Sequence, residues 1–119
     1  MPLFVQKPLV FVLEDDSTLR NIICTYLQQI GYEAIGFATG KDLLGSLHHQ
    51  LPFAVVSDIN LGDIDGETIA REAIALHPDL PIIILSARAD SCDLSYARAV
   101  IPKGTDSLQA LKQALEDLT

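Results

Sequence analysis

The chain predicts an α/β fold: an open sheet of five parallel strands in a (βα)5 order, wound on both faces by helices. Two observations carry this. Short apolar runs of strand type alternate with segments whose apolar residues recur at helical spacing, as in a parallel sheet with a helix in each crossover. The runs are also apolar throughout rather than alternating, Leu9–Leu13, Phe53–Val56 and Ile82–Leu85 above all. Strands covered on both faces read this way. At 119 residues, residues 1–119 read as one domain with a single core.

Leu9–Leu13 is the first strand. The helix after it takes Ser17 as its N-cap and carries Leu19, Ile22, Ile23, Tyr26, Leu27 and Ile30 on one face. Gly31 stands where a helix-ending glycine belongs. Tyr32–Phe37 reads as a half-buried second strand. Thr39 then caps a short helix with Leu43, Leu44 and Leu47, and Asp42 lies near its positive end. Phe53–Ser57 is the third strand. A helix from Glu67 to His77 follows, presenting Ile69, Ala70, Ala73 and Ile74. Pro81–Leu85, rich in β-branched residues, is the fourth strand. Residues 87–97 have weak helical character, Ala99–Ile101 is a short fifth strand, and a closing helix from Ser107 carries Leu108, Leu111, Leu115 and Leu118.

Composition narrows the function classes. Sixteen acidic against eight basic side chains give a net charge of −8. With no basic face to displace counterions, this domain is not expected to bind nucleic acid directly. The same charge disfavours an anionic membrane surface. No run approaches the roughly 20 apolar residues that span a bilayer. The apolar start is broken by Gln6, Lys7 and Pro8, unlike a signal peptide. Cys24 and Cys92 match no metal spacing and read as reduced thiols of a cytoplasmic protein. His48 and His49, adjacent on a helix, do not face each other as a metal pair would.

The chemistry gathers at the strand ends. Glu14-Asp15-Asp16 follow the first strand, Asp58 ends the third, Ser86 follows the fourth and Lys103 the fifth. Ligands of such sheets bind beyond the carboxyl ends of the strands, where the strand order reverses. Carboxylates crowded there repel one another unless a cation joins them. Taken singly, each residue has an ordinary role: Asp16 with Ser17 caps a helix, Asp58 makes a turn, Ser86 is a satisfied hydroxyl and Lys103 a solvated charge. Together on one rim they make a site for a hard divalent metal beside a candidate phosphoryl acceptor.

In order and spacing, Val10-Phe11-Val12-Leu13-Glu14-Asp15-Asp16, Ser57-Asp58-Ile59-Asn60-Leu61 with Asp65-Gly66, Ile84-Leu85-Ser86-Ala87 and Ile101-Pro102-Lys103 resemble the receiver domains of two-component response regulators. The resemblance covers residues 8–118. It implies a flavodoxin-like doubly wound sheet in the order 2-1-3-4-5 and a phosphorylation-dependent signalling switch. By the same resemblance Asp58 is the phosphoacceptor, and its donor is a sensor histidine kinase or a histidine phosphotransfer protein. Mg²⁺ is held directly by Asp15, through water by Glu14, and by Asp58 and the backbone carbonyl of Asn60. Lys103 and the Ser86 hydroxyl contact the phosphoryl oxygens. Asn60 and Arg88 sit where the family tunes hydrolysis. Such a domain is not an enzyme beyond catalysing its own phosphorylation and dephosphorylation.

The departures concern output. Lys103 follows Ser86 by only 17 positions, fewer than is usual in the family, so the helix between the fourth and fifth strands is expected to be short or irregular. Val100 stands where the family carries a switching tyrosine or phenylalanine. Gly104 follows Lys103 in place of proline, and Gly62 follows Leu61 where proline is common. These features favour one rival, a pseudo-receiver that acts as a constitutive protein-interaction module without phosphoryl transfer. A flavodoxin-like cofactor binder is disfavoured, because Glu14-Asp15-Asp16 would repel the cofactor's phosphate.

Overall fold

A computed structural model describes residues 7–58, 66–86 and 96–118. Its strands are β1 (Leu9–Leu13), β2 (Glu33–Phe37), β3 (Ala54–Asp58), β4 (Ile82–Ser86) and β5 (Ala99–Pro102). The helices among the described residues are α1 (Ser17–Gln29), α2 (Gly40–Leu47), α3 (Gly66–Leu76) and α4 (Ser107–Glu116). All strand pairs are parallel, in the order β2-β1-β3-β4-β5. The helical segment expected at 87–97 falls largely outside the described residues, since 87–95 are not among them.

Side chains alternate across each strand and divide the interior in two. Val10, Val12, Ala54, Val56, Ile83, Leu85 and Ile101 meet Ile23 and Leu27 of α1 and Leu111 and Leu115 of α4 on one face. Phe11, Leu13, Val55, Ile82 and Ile84 meet Leu43 and Leu47 of α2 and Ile69, Ala70 and Ala73 of α3 on the other. Both sets are needed, which is why β1, β3 and β4 are apolar until the polar residues at their carboxyl ends, Ser57 and Asp58 on β3 and Ser86 on β4. β2 is the edge beside β1 and is only half covered, in keeping with its mixed sequence.

The helix boundaries follow local chemistry, with one correction. The cap of α1 is Asp16, whose Oδ1 accepts hydrogen bonds from the N–H groups of Thr18 and Leu19. Ser17, expected as the cap, is instead the first helical residue. Asp16 has the extended backbone a cap requires, and its carboxylate carries a full charge into the positive end of the helix. Gly31 ends the α1 turn at φ +104°, which only glycine adopts without strain. Thr39 caps α2 as expected, accepting from the Asp42 N–H. Ile22, counted on the apolar face of α1, is exposed, because the buried stripe is narrower and centres on Ile23 and Leu27.

Candidate acidic site at the carboxyl ends of the strands

The strand order reverses between β1 and β3, and the ladder there pairs Leu13 with Ser57. Glu14 and Asp58, one step further along each strand, therefore come out level at the rim. One carboxylate oxygen from each of Glu14, Asp15 and Asp58 lies within 4.8 Å of the others. Glu14 and Asp58 are buried and Asp15 is exposed. The fifth strand delivers a cation to the same point: Lys103 Nζ donates to Asp58 Oδ2 at 2.8 Å and lies 3.8 Å from Glu14 Oε2.

Backbone bonds hold these groups in place. The Glu14 N–H donates to the Phe37 carbonyl at the end of β2, extending that ladder. Arg20 reaches back from α1, and its Nη1 donates to the Glu14 carbonyl at 2.9 Å. The Ser57 hydroxyl donates to the Asp58 carbonyl. The Lys103 N–H donates to the carbonyl of Ser86, a buried residue that ends β4.

Among the described residues, the carboxylates at this rim outnumber the cations. Burial is the main cause that raises the Glu14 carboxyl from its ordinary 4.5 to about 7. Asp58 adds to the shift, since it accepts a hydrogen bond from the protonated acid and repels the ionised one, while Lys103 opposes it. Glu14 Oε2 is buried without a hydrogen-bond partner. An acceptor oxygen of that kind, beside two further carboxylates, fits a hard divalent cation with oxygen ligands. Among the described residues, the Lys103 ammonium meets part of this demand.

Among the residues expected at the site, Glu14, Asp15, Asp58 and Lys103 converge by their side chains. Ser86 is carried to the same rim through the Lys103 backbone. Asn60 and Arg88 lie outside the described residues. Sequence reasoning missed Arg20 and Ser57. Both act on main-chain carbonyls, which leave no trace in the pattern of side chains.

Comparison with known proteins gives this arrangement a family. The model of the response regulator receiver domain matches residues 10–108. The chain belongs to that family. As a receiver domain of two-component systems it is built for phosphorylation-dependent signalling. It is 33% identical over 89 residues to the transcriptional regulatory protein CreB of Escherichia coli, across 75% of this chain and 39% of CreB. It is 34% identical over 83 residues to the C4-dicarboxylate transport transcriptional regulatory protein DctD of Rhizobium meliloti, across 70% of this chain and 18% of DctD. The receiver thus spans well under half the length of these relatives. Among solved structures, the response regulator TrrA of Thermotoga maritima, in complex with Mg²⁺-BeF, superimposes with a TM-score of 0.86 at 26% identity, covering 94% of this chain and 99% of TrrA. The chemotaxis response regulator CheY4 of Vibrio cholerae shares the fold, with a TM-score of 0.84 at 18% identity over 96% of this chain and all of that one. Among the receiver's described residues no helix is long and apolar enough to cross a membrane.

Proposed function

We propose that Asp58 accepts a phosphoryl group from a phosphohistidine of a sensor histidine kinase or a histidine phosphotransfer protein, with Mg²⁺ held by Glu14, Asp15 and Asp58. The observation that carries this reading is the convergence of three carboxylates within 4.8 Å, with the Lys103 ammonium 2.8 Å from Asp58. A carboxylate is a weak nucleophile, so rate comes from alignment and charge neutralisation. An Asp58 oxygen attacks phosphorus as the phosphorus–nitrogen bond to the donor imidazole breaks. The bonding pair leaves with the imidazole nitrogen, and an acyl phosphate remains on Asp58. Lys103, already paired with the acceptor, neutralises a phosphoryl oxygen, and the Ser86 hydroxyl donates to another. Bound at the acidic cluster, Mg²⁺ supplies the positive charge that lets the carboxylates and an anionic phosphoryl group share one site. Its preference for oxygen ligands and retained water suits so few protein donors, and the Mg²⁺-BeF complex of TrrA supports the choice of metal.

On this reading residues 1–119 work as one cytoplasmic switch unit that catalyses only its own phosphorylation and dephosphorylation and passes the signal to an effector domain or protein. The test is incubation with a small-molecule phosphodonor, with and without Mg²⁺, followed by intact-protein mass measurement. The expected result is a metal-dependent gain of one phosphoryl group that Asp58→Ala abolishes. No gain under conditions that label an ordinary receiver would favour the pseudo-receiver, the reading that the replacement of an aromatic residue by Val100 favours.

A further inference from the structure

We infer that Arg20 and Gly36 together form a positioning device for the Glu14-Asp15 acid pair, and so set the affinity of the site for Mg²⁺; this rests on the metal-binding reading above. Glu14 has its backbone held from both sides. Its N–H is tied to β2 through the Phe37 carbonyl at 3.0 Å, and its carbonyl is tied to α1 through Arg20 Nη1 at 2.9 Å. The second tie depends on β2 as well. A Cβ added at Gly36 would lie 2.9 Å from Arg20 Cγ, 3.0 Å from Arg20 Cδ and 3.3 Å from Cys24 Sγ. The aliphatic stem of Arg20 therefore crosses the strand through the space that a side chain at position 36 would fill. The glycine is what lets an arginine on the first turns of α1 reach back over six residues to the loop that carries both acids.

The geometry separates this role from a plain charge effect. Arg20 touches the main chain of Glu14, not its carboxylate, and it orients the acids without neutralising them. Removing a nearby positive charge would by itself tighten cation binding, because it removes repulsion. Removing a tie that holds two ligands in register weakens binding, as loss of outer-shell support does at metal sites generally. The two accounts predict opposite signs.

The experiment is a Mg²⁺ titration followed by amide chemical shifts on the wild type, Arg20→Met, Gly36→Ala and the double variant. Arg20→Met keeps most of the stem and loses the donor, whereas Gly36→Ala keeps the charge and displaces the stem. Each single variant is expected to raise the Mg²⁺ dissociation constant about tenfold. The double variant should be no weaker than the weaker single one, because both changes break the same tie. A purely structural role would lower the melting temperature and leave the dissociation constant unmoved, and that result in folded variants overturns the inference. Additive losses in the double variant also overturn it. Should Arg20→Met fail to fold, Gly36→Ala against wild type decides by the same criterion. Absence of a saturable Mg²⁺ response at Glu14 and Asp15 in the wild type would instead sink the metal site itself, and the inference with it.

Discussion

At the scale of single residues, the raised Glu14 carboxyl gives this domain a pH-dependent contribution to stability. Its carboxyl titrates near 7 in the fold and at 4.5 ordinarily, so between those values the folded state binds more protons than the unfolded chain. Stability from this group is therefore complete below about pH 4.5 and is lost as pH rises through 7. The metal-free protein is expected to lose melting temperature between pH 5 and 7.5 more steeply than Glu14→Gln, which cannot titrate, and Mg²⁺ should remove most of the difference. Parallel curves for the two proteins would contradict the assignment. Lys103 makes the complementary case. Lys103→Ala is expected to keep Mg²⁺ binding, since the carboxylates remain, and to lose the amide-shift response to beryllofluoride. A variant that no longer bound the metal would mean that the lysine helps to assemble the acids rather than acting on the phosphoryl group.

At the scale of elements, caps and close contacts decide how firmly each helix is fixed. Asp16→Ala removes both cap bonds of α1 and should cost about 0.5–2 kcal/mol in denaturant unfolding. Gly40 opens α2 against α3, and a Cβ there would run into Cγ1 and Cδ1 of Ile69. Gly40→Ala should destabilise by about 1–3 kcal/mol, and adding Ile69→Ala, which clears that space, should give less than the sum of the two losses. Much of this layer was legible beforehand. The doubly covered strands announced themselves because a face buried on each side leaves no room for polar alternation. Thr39 and Gly31 were readable because a cap oxygen and a positive φ are local demands. The choice of Asp16 over Ser17 was not, since both are good caps and one residue of register in the connecting loop decides between them. Arg20 was illegible for a different reason, because it bonds a carbonyl that every residue possesses.

Across the whole molecule, the sheet order decides which residues meet. No stretch of sequence states that residues 14, 58 and 103 are neighbours. Their positions at strand ends and the resemblance to receiver domains placed them on one rim, and the order 2-1-3-4-5 makes that rim a cluster. The fifth strand is less ordinary. Val100, on β5, is exposed and small where an aromatic switch is usual. Adding Mg²⁺ and beryllofluoride is therefore expected to shift amides at the ends of β1 and β3 and around Lys103, with little change in the middle of β5. An equally strong response along β5 would show that the family's usual output route survives without the aromatic ring.

The main-chain bond from Lys103 to Ser86 has a consequence for tolerance to length change. Because β4 and β5 are parallel neighbours and the Lys103 N–H bonds the Ser86 carbonyl, the main-chain anchors of the ammonium and the hydroxyl are set by the sheet rather than by the number of residues between the two strands. A change in the number of residues between positions 86 and 103 would leave those two anchors in register. Evolution and protein engineers alike would then be free to graft new docking elements there without moving the acidic rim.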